Sequence, residues 1–282
     1  MYQAGSLSFA GGVFLSLSLI SLLLLFGGLA GFLAGLLGIG GGVVLVPLFL
    51  WLFAHADMAA ELVVHTAFGT SLAIIIPTSL ISVLGHRSFG NVAWGHVFHL
   101  ATGGLIGGLV GSFLAANLHG ELLQTCFGVM QIVIGLKLLF YHPRLPPETD
   151  TDPSALSLIV VGFVGGSFSA FFGVGGGVIA VPLMLILLHL PIRLAVGNSS
   201  ALIVVSSLAG TVSYVWYGLQ AQVDFPWSVG YVNLLVVAIV APSSLMFARL
   251  GVRVAHRISQ DRLLRVFSVV LIAVGIKIGL HL

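Results

Sequence analysis

The chain has 282 residues, of which 59% are hydrophobic and only 6% charged. Soluble domains carry roughly 25% charged residues, and the mean hydropathy here is +1.18, so composition excludes a soluble domain and indicates an all-α polytopic membrane protein. The net charge of +2 rests on so few charges that it says little about partners.

A spanning helix needs about 20 apolar residues. The first such run covers 13–37 and turns glycine-rich towards its end, at Gly27, Gly28, Gly31 and Gly35, as in a closely packed interior helix. The start of the chain lacks the basic segment of a signal peptide, so this run is expected to be a retained membrane segment. A cluster, Gly38-Ile39-Gly40-Gly41-Gly42, follows, and then a short apolar run over 43–53. His55, Asp57 and Glu61 mark a polar turn. Run three, 62–84, carries His65, Thr66, Thr70, Ser71 and Pro77. His86, Arg87 and Asn91 lead to run four, 97–118, studded with glycine, and a turn at Glu121 leads to run five, 122–141, which contains the single cysteine, Cys126. One cysteine cannot form an internal disulfide, and packing is its expected role. Residues 142–154 are polar and proline-rich and read as a linker.

The plan then repeats. A run over 155–172 enters a second cluster, Gly173-Val174-Gly175-Gly176-Gly177, followed by a short run over 178–190. Runs over 194–216, 227–248 and 263–282 complete the chain, with a basic loop between the last two. Both glycine clusters are followed at the same spacing by proline, Pro47 and Pro182. The match extends to Phe68-Gly69-Thr70-Ser71 against Val196-Gly197-Asn198-Ser199, and to Gly135-Leu136-Lys137 against Gly275-Ile276-Lys277. The expected organisation is a first membrane repeat over 1–141, the linker 142–154 and a second repeat over 155–282, with about five helical elements in each repeat.

Arginine and lysine placement gives the orientation. With the basic loop at 249–262 in the cytoplasm, Arg87 and Arg193 also fall inside, while Asp57, Glu61, Glu121, Asp224 and both termini fall outside. An odd number of elements per repeat makes the two repeats inverted.

Glycine costs a helix about 1 kcal/mol against alanine, so each cluster should break or re-enter. Broken backbone in a membrane must be buried in protein or line a cavity, and the helix that restarts presents free N–H groups at the positive end of its dipole, a site for an anion. Paired breaks in two halves point to a transporter's binding site. For a single glycine, close helix packing is the plainer reading. Neither cluster is a dinucleotide loop, because the third glycine of that fingerprint is replaced by Val43 and Val178.

The apolar runs hold almost nothing ionisable. Lys137 and Lys277 sit near segment ends, where they can snorkel. An interior so poor in acids suits an anion, held by backbone N–H groups and by small donors at matched positions: Thr70, Ser71, Asn198, Ser199 and Ser200, with Gly40, Gly41, Gly42, Gly175, Gly176 and Gly177. The plainer role of such hydroxyls is bonding to their own helix. His65 lies one turn from Glu61 and could pair with it for proton coupling, against a purely structural hydrogen bond. Trp51, Trp94, Trp216 and Trp227 lie at segment ends, as interfacial anchors do.

The doubled Gly-x-Gly-Gly-Gly-x-x-x-x-Pro motif, together with Gly69-Thr70-Ser71 and Gly197-Asn198-Ser199-Ser200, resembles the TauE/SafE sulfite exporter family over essentially the whole chain. The resemblance implies a carrier for sulfur-containing or organic anions such as sulfite, sulfonates, sulfoacetate or thiosulfate, in either direction across a bacterial cytoplasmic membrane. The motif positions carried over are Gly40, Gly41, Gly42, Pro47, Thr70 and Ser71, then Gly175, Gly176, Gly177, Pro182, Asn198 and Ser199; threonine in one repeat stands where the other has asparagine, so the site is only approximately two-fold. The expectation is a secondary transporter working by alternating access, with an anion channel of the same architecture as the alternative. An enzyme is not expected: Cys126 has no obvious base and no His-Glu-x-x-His pair occurs. Expected partners are a small anionic substrate and the lipid bilayer, without nucleic acid, cofactor or metal; the oligomeric state is left open.

Overall fold

In the computed structural model, which describes residues 7–8, 14–56, 58–140, 153–255, 272 and 276, nine helices follow one another among the described residues, with two short hairpins. Strands β1 (Leu7–Ser8) and β2 (Phe14–Leu15) pair antiparallel. Ser16 then starts α1 (Leu17–Leu37), its side chain accepting from the Leu19 amide. The first helix therefore begins later than an apolar run from residue 13 suggests, because the serine cap supplies the acceptor that the free amides of a first turn need.

The glycine cluster separates α1 from α2 (Gly42–Ala54), which is followed by α3 (Ala60–Ser88), α4 (Trp94–Ala116) and α5 (Gly120–Phe140). The second set is α6 (Ala155–Phe172), the second cluster, α7 (Gly177–Ile186), α8 (Ile192–Gln220) and α9 (Leu234–Ala255). The run expected over 227–248 divides: strands β3 (Ser228–Val229) and β4 (Val232–Asn233) form a hairpin with Gly230 at φ 56, and α9 starts after it. Helix α9 also continues through Arg249 and Arg253, the start of the expected basic loop. The rest of that loop, the final run over 263–282, the linker residues 142–152, Asp57, Lys277 and the side chain of Lys137 lie outside the described residues.

Among the described residues, six helices are long and apolar enough to cross a membrane: α1, α3, α4, α6, α8 and α9. Their outer faces expose Leu25, Phe98, Phe113, Leu156, Leu208 and Val212, an apolar surface suited to lipid. The largest helix interfaces run between the two halves of the chain, α4 against α6, α1 against α9, and α3 against α8 in the centre. Small residues set the outer pairs. A Cβ on Gly31 or Gly35 would collide with the carbonyls of Ser244 or Ala248, and one on Gly103, Gly107 or Gly111 with those of Ile159, Phe163 or Ser167. Lipid provides no hydrophobic force between helices, so close backbone approach is what holds them.

Candidate functional site between the two glycine breaks

Each break has the same backbone path. Gly38, Gly40 and Gly41 have φ of 64, 85 and 81°, and Gly173, Gly175 and Gly176 have 68, 94 and 70°. An L-residue in that left-handed region is disfavoured by roughly 1–2 kcal/mol, so three such positions per loop demand glycine. The first and third close the preceding helix and open the next: Gly38 is the C-cap of α1, with its amide bonded to Ala34 O, and Gly41 is the N-cap of α2. Gly173 and Gly176 do the same for α6 and α7.

The two breaks touch. A Cβ on Gly40 would lie 3.1 Å from Gly175 Cα, and one on Gly175 would lie 3.1 Å from Gly40 Cα. One on Gly42 would lie 2.5 Å from Gly173 O, and one on Gly177 would strike Gly38 O. Broken backbone from distant parts of the sequence is thus in van der Waals contact, buried on all sides. The amides of Gly40, Gly41, Gly42, Gly175 and Gly176 carry no hydrogen bond among the described residues. They are donors at two helix starts within one small volume, the arrangement that attracts negative charge.

The expected side-chain candidates lie around these loops, and they bond in matched pairs. Ser71 Oγ donates to Gly173 O (2.7 Å) and Ser199 Oγ to Gly38 O (2.8 Å). Each serine therefore satisfies the left-handed cap of the broken helix in the other half of the chain. Thr70 Oγ1 accepts from the Asn233 amide (3.0 Å), just before α9, and Asn198 Oδ1 accepts from the Ala93 amide (2.9 Å), just before α4. Ser200 donates to Val196 O within its own helix and faces Ser82 Oγ at 3.0 Å. All five are buried. The oxygens expected to meet substrate are thus already bonded, those of Ser71 and Ser199 to the breaks and those of Thr70, Asn198 and Ser200 to neighbouring segments, while Asn198 Nδ2 is buried without a partner.

A residue the sequence reading passed over braces the first break. Pro47 has no N–H, so the carbonyl four residues before it, Val43 O, loses its helical donor. Gln131 of α5, fully buried, donates Nε2 to Val43 O at 3.2 Å. The available signal was a lone amide in an apolar run. Beside each break also sits an isoleucine: Ile75 reaches within 2.9 Å of a Cβ placed on Gly42, and Ile203 within 2.9 Å of one on Gly177.

The pairing of His65 with the Glu61 carboxylate does not occur. His65 Nδ1 lies 3.3 Å from the Glu61 backbone carbonyl and Nε2 3.1 Å from Ala115 O, and the ring stacks on Tyr231 with centroids 5.1 Å apart. Glu61 is at the first turn of α3, where an exposed carboxylate gains from solvent and the helix dipole. The other described carboxylates, Glu121 and Asp224, are exposed too. Arg87 stacks over Trp94, 5.8 Å from the ring centroid, and Arg193 is exposed. The four tryptophans are exposed, consistent with interfacial positions.

Apolar helices of spanning length around two abutting broken segments define a multi-pass membrane protein of the transporter class. The profile of the sulfite exporter TauE/SafE family matches residues 22–278, and the chain belongs to that family. A probable membrane transporter protein of Haemophilus influenzae is 30% identical, the match covering 93% of this chain and 98% of the relative. One of Methanocaldococcus jannaschii is 27% identical over 92% of this chain and 95% of its own. YunE of Bacillus subtilis, a probable membrane transporter protein, is 27% identical over 91% and 96%. No solved structure matches the chain significantly.

Proposed function

We infer that the protein is a secondary carrier for a sulfur-containing or organic oxyanion of the sulfite, sulfonate, sulfoacetate or thiosulfate class. In this reading residues 1–141 and 155–282 are inverted repeats joined by 142–154, and the anion binds near the midplane, where the two breaks meet. The observation that carries the reading is the unpaired glycine amides at the starts of α2 and α7, brought together by Gly40 and Gly175. Those donors favour negative charge without any fixed cation. The described carboxylates Glu61, Glu121 and Asp224, all exposed, leave that space free of opposing charge. Alternating access then consists of one helix group rocking against the other about the α3–α8 seam.

Ser71 and Ser199 serve the anion by holding the glycine turns, Thr70, Asn198 and Ser200 by fixing the segments around them, and the Asn198 amide is the free donor among the five. His65 is the proton-coupling candidate. Its two ring nitrogens both face carbonyl acceptors, and a neutral imidazole has one N–H to donate while an imidazolium has two. Purified protein in liposomes provides the test. Saturable uptake of radiolabelled sulfite or thiosulfate, accelerated by the same anion trapped inside, supports a carrier. An ohmic anion current without counterflow would replace it with the channel alternative.

A further inference from the structure

Five buried hydroxyls among the described residues have no hydrogen-bond partner, those of Thr66, Ser79, Ser167, Ser207 and Thr211, and two of them, Ser79 Oγ on α3 and Ser207 Oγ on α8, take corresponding places on the two central helices. Both residues are closed off from solvent, at 1% and 0% exposure. This is unusual for a helical serine or threonine, which ordinarily falls back on its own helix. Around them Thr78 bonds Ile74 O, Ser200 bonds Val196 O and Ser213 bonds Ala209 O. Ser79 and Ser207 do not, and a buried donor left unsatisfied is costly.

Their positions correspond. Two contacts fix the register of the central helices: Ser82 Oγ lies 3.0 Å from Ser200 Oγ, and Leu72 lies 2.9 Å from a Cβ placed on Gly210. The helices are therefore antiparallel, Ser79 lies level with Ile203, and Ser207 lies level with Ile75. Ile75 seats on Gly40 and Gly42, and Ile203 on Gly175 and Gly177. Along α3, Ser71, Ile75 and Ser79 follow at one-turn steps; along α8, Ser199, Ile203 and Ser207 do the same. One member of each series bonds the glycine turn of the opposite half, one covers the adjoining turn, and the last is left with a free hydroxyl.

We propose that Ser79 and Ser207 are the side-chain donors of the oxyanion site, one from each repeat, completing with the glycine amides a donor set for the oxygens of a sulfite- or sulfonate-type group. The proposal rests on the oxyanion-carrier reading and names the side chains of that site. Two short hydroxyls at a helix crossing complement a small group bearing several acceptor oxygens, and their bonds to an anion are stronger than those to neutral acceptors.

The experiment measures binding of sulfite, thiosulfate, sulfoacetate and benzenesulfonate to the purified full chain by calorimetry, alongside its thermal midpoint without ligand. The variants are Ser79→Ala, Ser207→Ala and the pair, with Ser213→Ala as the control whose hydroxyl is already bonded. Each single variant is expected to bind the preferred anion about tenfold more weakly or worse. The unliganded midpoint should hold steady or rise, because no native hydrogen bond is lost. Wild-type binding with unchanged affinity in both single variants would overturn the assignment and leave the carrier reading standing. No saturable binding by wild type to any of the four anions would overturn both. A fall in the unliganded midpoint, or failure of the variants to fold, would also overturn it, since it would show the hydroxyls to be structural.

Discussion

The two breaks share one backbone path but differ in what supports them. At the first, Pro47 deprives Val43 O of a donor and Gln131 replaces it. At the second, Pro182 stands in the same place within α7, yet no described side chain donates to Val178 O. The position matching Gln131, by the Gly135 and Gly275 correspondence, is Leu271, which carries no donor. The central seam differs as well. Ser82 and Ser200 hydrogen-bond across it at one end, where the other end packs Leu72 against Gly210. The glycine turns and their capping serines are thus alike at the two breaks, while the bracing differs. Among the described residues, the first break has a side-chain brace that the second lacks.

The largest effect should come from closing the contact between the loops. Gly42→Ala and Gly177→Ala each place a methyl group against backbone of the opposite break. Overpacking costs typically 1–3 kcal/mol, more where backbone itself must yield, and loss of folded protein on extraction from the membrane is the expected readout. Next comes the asymmetric brace. Gln131→Leu leaves Val43 O buried and unpartnered and should lower stability by about 1–3 kcal/mol. Pro47→Ala in that background should restore much of the loss by returning an N–H to the carbonyl four residues earlier. A thermal-melting double-mutant cycle reads the coupling, and additive losses would remove the contrast between the breaks.

Smaller effects test the likeness. Ser71→Ala and Ser199→Ala each delete one hydrogen bond to a glycine carbonyl of the opposite half, and each should cost about 1 kcal/mol; unequal losses would mean that capping has diverged too. Smallest is Arg87→Gln, which removes an exposed stacking contact with Trp94 worth about 0.5–1 kcal/mol.

Much of this could be read in advance because glycine and proline act through the backbone. The breaks at 38–42 and 173–177 follow from residues that alone tolerate the left-handed path, and α6 begins and ends where its apolar run does. The hairpin ahead of α9 was hidden because Val229, Tyr231 and Val232 are as apolar as the helix they precede, so hydropathy shows no boundary where Gly230 turns the chain. The His65–Glu61 spacing suited a side-chain pair, but the Ala115 carbonyl and the Tyr231 ring, both distant in sequence, hold the imidazole instead. The candidate hydroxyls could be located but not their partners, for Ser71 and Gly173 meet only through the interleaving of the two halves. Gln131 escaped notice because a single amide in an apolar helix gains meaning only beside the carbonyl that Pro47 leaves open.

Counterflow in reconstituted liposomes tests the central claim most directly. Vesicles preloaded with unlabelled sulfite or thiosulfate should take up the labelled anion faster than empty ones, with saturation, and Ser79→Ala/Ser207→Ala vesicles should lose most of that uptake. Uptake by wild type that neither saturates nor responds to internal anion would contradict the account.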